Sequence, residues 1–145
     1  MIHFTGNIGK YGFLSNFYAS SFTYKGIHFT NSEAAFQSQK EPENAEKYAD
    51  RPPSFAKSMG RSANLRPDWE QVKDQVMYDV LYAKFTQNPE LKEALLETGD
   101  ETLVEATTWH DRYWGICTCP NCRGVGRNQL GYTLMKLRKD FKEEK

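Results

Sequence analysis

The sequence predicts an α+β fold: a compact, mainly helical single domain over residues 1–145 with a small N-terminal β-hairpin or sheet. Three observations predict it. Glycines at 6, 9, 12 and 26 stand among β-prone aromatics in the first thirty residues. Helix-period apolar spacing dominates from Asn31 onward, and only one short β-prone segment, Leu103–Ala106, interrupts it. The length of 145 residues, with 39% hydrophobic and 26% charged content, suits one core and no second module.

Taken in order, Ser21–Tyr24 and Ile27–Phe29 form a hairpin turned at Lys25-Gly26. Asn31 or Ser32 can cap a short helix through Lys40, with Ala34, Ala35 and Phe36 available for burial. Arg51-Pro52-Pro53 separates two short helical stretches, not two domains. The spacing predicts a long helix over Asp68–Thr86, because Asp68 and Gln71 have capping-box spacing. Val72, Val76, Met77, Val80, Leu81 and Phe85 form its apolar face. Asn88-Pro89 restarts a helix by a cap followed by proline at its first position; Leu91, Leu95 and Leu96 supply its buried side and Gly99 ends it. The last helix begins near Asn128 and buries Leu130, Leu134, Leu137 and Phe141, leaving Arg138, Lys139 and the terminal Lys142-Glu143-Glu144-Lys145 in water.

Nineteen basic residues balance nineteen acidic ones, so no bulk positive charge drives attachment to a duplex or an acidic membrane. No apolar run is long enough to span a bilayer, and the N-terminal residues show no basic segment followed by an apolar stretch. A cytoplasmic protein with no membrane partner is the expectation. The three cysteines all lie between positions 117 and 122, which excludes a disulfide scaffold.

Four segments carry groups suited to chemistry. Glu33, Phe36, Gln37 and Lys40 share one helical face, offering a carboxylate, a ring, an amide and a cation; a first-turn Glu with a surface Lys is the plainer alternative. Trp109-His110-Asp111-Arg112-Tyr113-Trp114-Gly115 follows a strand, where Trp114 could stack on a base and Asp111 could orient water or bind a ribose hydroxyl. The same residues would also serve as a plug closing the core. Ser15 and Asn16 sit between large apolar residues, as in a ligand-presenting loop or a simple turn. Finally, Cys117, Cys119 and Cys122 give three thiols where a closed zinc site needs four ligands; His110 could be the fourth, and a turn of unligated thiols is the alternative. The Gly124-x-Gly126 turn after them lacks the third glycine of a dinucleotide fingerprint but could bring Arg127 to a phosphate at the start of the last helix. His3 and His28 have no partner at metal or triad spacing and are expected to be structural.

Phe13-Leu14-Ser15-Asn16-Phe17-Tyr18, Asn31 to Lys40, Arg66-Pro67-Asp68-Trp69 and Ala83-Lys84-Phe85-Thr86-Gln87-Asn88 together resemble the NADAR family. So do Leu95 to Gly99, Asp111-Arg112-Tyr113-Trp114-Gly115 and Gly126-Arg127-Asn128-Gln129-Leu130-Gly131. The resemblance spans nearly the whole chain in order. It implies an N-glycosidase that cleaves a C–N bond between ribose and a nitrogenous base, without metal or redox cofactor. Two substrate classes follow from it: guanine carrying ADP-ribose, including ADP-ribosylated DNA, and ribosylamino-pyrimidine phosphates of riboflavin synthesis. It places the catalytic glutamate on Glu33 and the family's tryptophan and aspartate on Trp69 and Asp111. Ala34 departs from the aromatic or His common after that glutamate. The substrate-binding set expected from these segments is Ser15, Asn16, Phe17, Phe36, Lys40, Trp69, Lys84, Trp114, Arg127 and Asn128, with Lys40, Lys84 and Arg127 holding phosphates. A basic rim of Arg61, Arg66, Arg123 and Arg127 would suit DNA. A binding module for ADP-ribose without cleavage, and a small zinc adaptor for nucleic acid, are the rivals from other classes.

Overall fold

In the computed structural model, which describes residues 1–144, three short parallel strands and a separate hairpin frame five α-helices. Strand β1 (Ile2–Phe4) pairs in parallel with β4 (Leu103–Thr107), Ile2 opposite Leu103 and Phe4 opposite Glu105. Beyond it β4 pairs in parallel with β5 (Ile116–Cys117), Thr107 opposite Cys117. The sequence pattern marks β4 but not β1 or β5, because strands of two or three residues show no alternation and these two lack the turn signal that marks the hairpin. The hairpin is as expected, with β2 (Phe22–Tyr24) antiparallel to β3 (Ile27–Phe29). Lys25 and Gly26 both take positive φ, 51° and 80°, the backbone that a two-residue turn between right-twisted strands demands.

Asn31, in extended conformation, accepts the Ala34 N–H at 2.7 Å and so caps α1 (Ser32–Ser38), every residue of which is buried. A 3₁₀ segment (Pro42–Tyr48) and α2 (Pro53–Arg61) are the two helical stretches flanking the double proline. Helix α3 (Trp69–Gln87) crosses the core with Val76, Met77, Val80, Leu81 and Phe85 buried. Its expected capping box is absent: Asp68 makes no cap and instead receives two bonds from the Arg66 guanidinium, at 2.6 and 3.0 Å. Asn88 likewise does not cap α4 (Pro89–Glu97) with its side chain, which donates to the Lys84 and Ser21 carbonyls and so closes the end of α3. Helix α5 (Gln129–Glu143) buries Leu130, Leu134, Leu137 and Phe141 against α3 and β4.

Arg138 is a correction to the solvated face expected of α5. It is 6% exposed and donates to Thr98 Oγ1 at 2.7 Å and to the Glu101 carbonyl at 2.9 Å, so the guanidinium ties the α4–β4 connection to the last helix. Lys139, Lys142, Glu143 and Glu144 are exposed, and Lys145 lies outside the described residues. No helix among the described residues is long and apolar enough to cross a membrane.

Candidate active site

Where the start of α1 meets α2, α3 and the end of β4, the structure holds a cavity of about 420 Å³, within the usual range for small-molecule sites. Helix α1 turns Glu33, Phe36 and Gln37 into it, one face as the helical spacing requires, and Lys40, expected on the same helix, reaches it from the turn that follows the helix end at Ser38. The loop after β1 supplies Ser15, Asn16 and Phe17, and α3 supplies Trp69, Lys73 and Met77. The connection between β4 and β5 supplies Trp109, Asp111, Tyr113 and Trp114. The Asn16 carbonyl accepts the Glu33 N–H at 3.0 Å while its Oδ1 accepts from Ser32 Oγ at 2.7 Å, so the loop and the helix start are locked together.

Glu33 is 8% exposed, and burial raises its carboxyl above the ordinary range. Several neighbours oppose that rise. Gln37 Nε2 donates to Glu33 Oε2 at 2.6 Å, and the Lys57 and Lys40 cations face it, while Asp111 adds to the rise. With its amide nitrogen committed to Glu33, Gln37 leaves a buried Oε1 with no donor. Gly60 explains how the amide fits: a Cβ there would overlap Gln37 Oε1 and come within 2.6 Å of its Cδ, so α2 approaches α1 this closely only without a side chain. Burial also pulls the Lys40 ammonium downward, partly offset by Glu33.

Phe36 stands between two indoles, 5.1 Å from Trp69 and 5.2 Å from Trp114, the latter edge-on at 82°. Lysines extend this wall: Lys40 lies 6.0 Å from the Trp69 ring, Lys57 5.3 Å from Trp109 and Lys73 3.9 Å from Tyr113. Asp111 folds its Oδ1 back to accept the N–H groups of Tyr113 and Trp114 at 3.1 and 2.9 Å, so it shapes the loop that carries Trp114.

Three expected binding residues lie elsewhere. Lys84 is fully buried beneath the N-terminal loop, where its ammonium donates to the Phe13 and Ser15 carbonyls at 2.8 and 3.1 Å. Desolvation there pulls it down to about 7. It supports Ser15 from behind and is not among the residues that line the cavity. Arg127 is exposed outside the cavity with its guanidinium 5.5 Å from the Tyr113 ring. Asn128 takes a left-handed backbone and is buried; its side chain accepts from the Glu105 N–H and donates to the Leu103 carbonyl, fastening α5 to β4. None of Arg61, Arg66, Arg123 and Arg127 lines the cavity itself; Arg127 stands beside Tyr113 and Arg61 acts on Lys40, both lining residues.

Lys57, Lys73 and Glu105 were not legible as site residues. Glu105 sits mid-strand in an otherwise apolar segment, and that misplaced carboxylate was the available signal. Its carboxyl is driven up to about 8, first by desolvation and then by Asp111 and Glu33, with Lys57 opposing. The cavity thus holds three carboxyl groups, Glu33, Glu105 and Asp111, and three lysines, Lys40, Lys57 and Lys73, arranged around aromatic walls. Such a site can bind an anionic, ring-bearing ligand and set one carboxylate against positive charge developing inside it.

The NADAR domain profile matches residues 3–142. The N-glycosidase YbiA of Escherichia coli is 41% identical over 152 aligned positions, covering 100% of this chain and 91% of that protein. Its NMR structure superimposes with a TM-score of 0.84, at 40% identity over 99% of this chain and 85% of that one. An N-glycosidase of Nostoc punctiforme is 32% identical over 91% of this chain and 86% of its own. A riboflavin biosynthesis protein of Vibrio vulnificus is 34% identical over 92% of this chain, which covers 36% of that longer protein.

Proposed function

Since this chain belongs to the NADAR family, we propose that its cavity cleaves the bond between ribose and a nitrogenous base, with Glu33 facing the anomeric carbon. The protein is a hydrolase acting on N-glycosyl bonds. One observation carries the assignment of Glu33: it is a buried carboxylate hydrogen-bonded by Gln37 and faced by two lysines, all inside the one cavity that also holds the indoles. In the reaction the C–N electron pair leaves with the base, which takes up a proton, and water adds to the anomeric carbon. The oxocarbenium-like state between is positively charged, and a carboxylate in a dry site stabilises it strongly. Glu105, protonated near neutral pH, is the group in the cavity able to give the leaving base its proton. Asp111 binds the ribose hydroxyls or positions the water. Lys40, Lys57 and Lys73 hold phosphate, replacing the Lys84 and Arg127 of the sequence-based expectation.

Of the two substrate classes we favour ADP-ribose attached to guanine, including guanine in DNA. Six rings line the cavity, those of Phe17, Phe36, Trp69, Trp109, Tyr113 and Trp114, and two heterocycles use more of that stacking surface than one pyrimidine does. A ribosylamino-pyrimidine phosphate is the second reading, favoured by the riboflavin biosynthesis relative. We place the enzyme in the cytoplasm, where its free thiols stay reduced. The test incubates wild type and Glu33→Gln with an oligonucleotide bearing ADP-ribosyl-guanine and, separately, with the pyrimidine phosphate, following release by mass. The substitution should leave ligand binding intact and lower turnover by about 10²–10⁴. Equal turnover removes Glu33 from the reaction, and tight ADP-ribose binding with no release from either substrate makes the domain a binding module.

A further inference from the structure

Outside the cavity lining, His110, Cys117, Cys119 and Cys122 converge. Their four ligand atoms all lie within 4.8 Å of one another. His110 Nδ1 is 3.4 Å from Cys122 Sγ, 3.5 Å from Cys119 Sγ and 3.9 Å from Cys117 Sγ. A tetrahedral Zn²⁺ with Zn–S of about 2.3 Å and Zn–N of about 2.0 Å would put nitrogen and sulfur roughly 3.5 Å apart. We propose that these four residues bind one structural zinc ion, as a Cys₃His site.

The surrounding backbone is built for it. The Cys122 N–H points at Cys119 Sγ, at 3.4 Å, and the N–H groups of Cys122 and Arg123 both bond to the Cys119 carbonyl. Gly124 N–H returns to the Cys117 carbonyl, and Arg123 and Gly124, with φ of 53° and 81°, turn the chain so that Val125 pairs with Cys117. Free thiols need no such frame, whereas thiolates on a metal are oriented and stabilised by it.

The topology explains what the ion does. Strands β4 and β5 are parallel, yet residues 108–115 alone connect them, shorter than the dozen or more residues usual for a parallel crossover. His110 takes φ of 69° in this connection, a costly backbone for a residue with a Cβ. Ligation by His110 fastens the crossover to the Cys turn behind it and thereby fixes Asp111, Tyr113 and Trp114 in the cavity wall.

The proposal is tested on the full chain purified without chelator, by elemental analysis, thiol counting with a chromogenic disulfide and Co²⁺ replacement. We expect one zinc per chain, three thiols that react only after chelation, and a cobalt spectrum with intense thiolate charge-transfer and tetrahedral d–d bands. Cys119→Ser, in a half-buried turn position, should keep the circular dichroism of the wild type and lose the metal at chelator concentrations that leave wild type loaded. A wild-type protein whose three thiols react at once in the presence of added zinc overturns the proposal. So does iron with a visible cluster spectrum, or zinc retained equally by Cys119→Ser and His110→Ala.

Discussion

Replacing Gly60 by alanine tests how the carboxylate is held. The added Cβ overlaps Gln37 Oε1, so the amide must swing away and abandon Glu33. Alanine in the last turn of α2 gains about 0.5–1 kcal/mol over glycine from the backbone. The lost bond involves a charged acceptor and is worth about 1.5–3 kcal/mol. The difference predicts a net destabilisation of roughly 1–2 kcal/mol, read by urea unfolding. Kinetics carry the sharper signature. The Gln37 bond is the largest influence holding Glu33 ionised against burial. Its loss raises the carboxyl further and displaces the acid limb of the pH–rate profile upward. Each 1.4 kcal/mol of lost stabilisation lowers the ionised fraction about tenfold on that limb. Gln37→Leu should move the limb in the same direction without touching α2. A Gly60→Ala enzyme as stable as wild type, with its acid limb unmoved, refutes this account of the site.

Glu105→Gln should be more stable than wild type by an amount that grows with pH. The folded carboxyl is raised from 4.5 to about 8, so its contribution to wild-type stability is fully present below 4.5 and lost as pH rises through 8, at up to about 1.4 kcal/mol per pH unit. Thermal melts at pH 5 and pH 8 measure the gap, and a gap that does not widen contradicts the burial of that carboxyl. Lys84→Met should cost about 2–5 kcal/mol, because the Phe13 and Ser15 carbonyls lose their buried donor. In wild type, Lys84, lowered from 10.5 to about 7, contributes stability that is full above 10.5 and lost as pH falls through 7. Melts from pH 7 to 10 should therefore rise more steeply for wild type than for Lys84→Met, and parallel curves would show that the amine is not buried.

Local chemistry made much of this molecule legible. The turn at Lys25-Gly26, the Asn31 cap and the apolar periods of α3 and α5 are written in neighbouring residues, and the face of Glu33, Phe36 and Gln37 follows from helical spacing, although the helix stops at Ser38 and a turn carries Lys40. What escaped depends on distant partners. Lys84 and Lys57 are both lysines on helices, yet one props a loop from below and the other faces the cavity. Only the crossing of α3 under the N-terminal loop and of α2 over α1 separates them. Arg138 read as solvated because its acceptors, Thr98 and the Glu101 carbonyl, come from a segment some forty residues earlier. The Asp68–Gln71 spacing misled for the opposite reason: a nearer partner, Arg66, took the carboxylate.

The pairing of Ile2 with Leu103 has a consequence for the order in which the protein is made. A ribosome delivers β1 about a hundred residues before its partner, so that strand waits unpaired while the intervening helices are synthesised. Loop closure over that span is slow compared with helix formation, so α1, α2 and α3 can assemble before β1 is secured. The N-terminal loop that presents Ser15, Asn16 and Phe17 is tethered to β1 at one end and to the hairpin at the other. The wall of the cavity that this loop forms is therefore anchored through β1 only once β4 has been made.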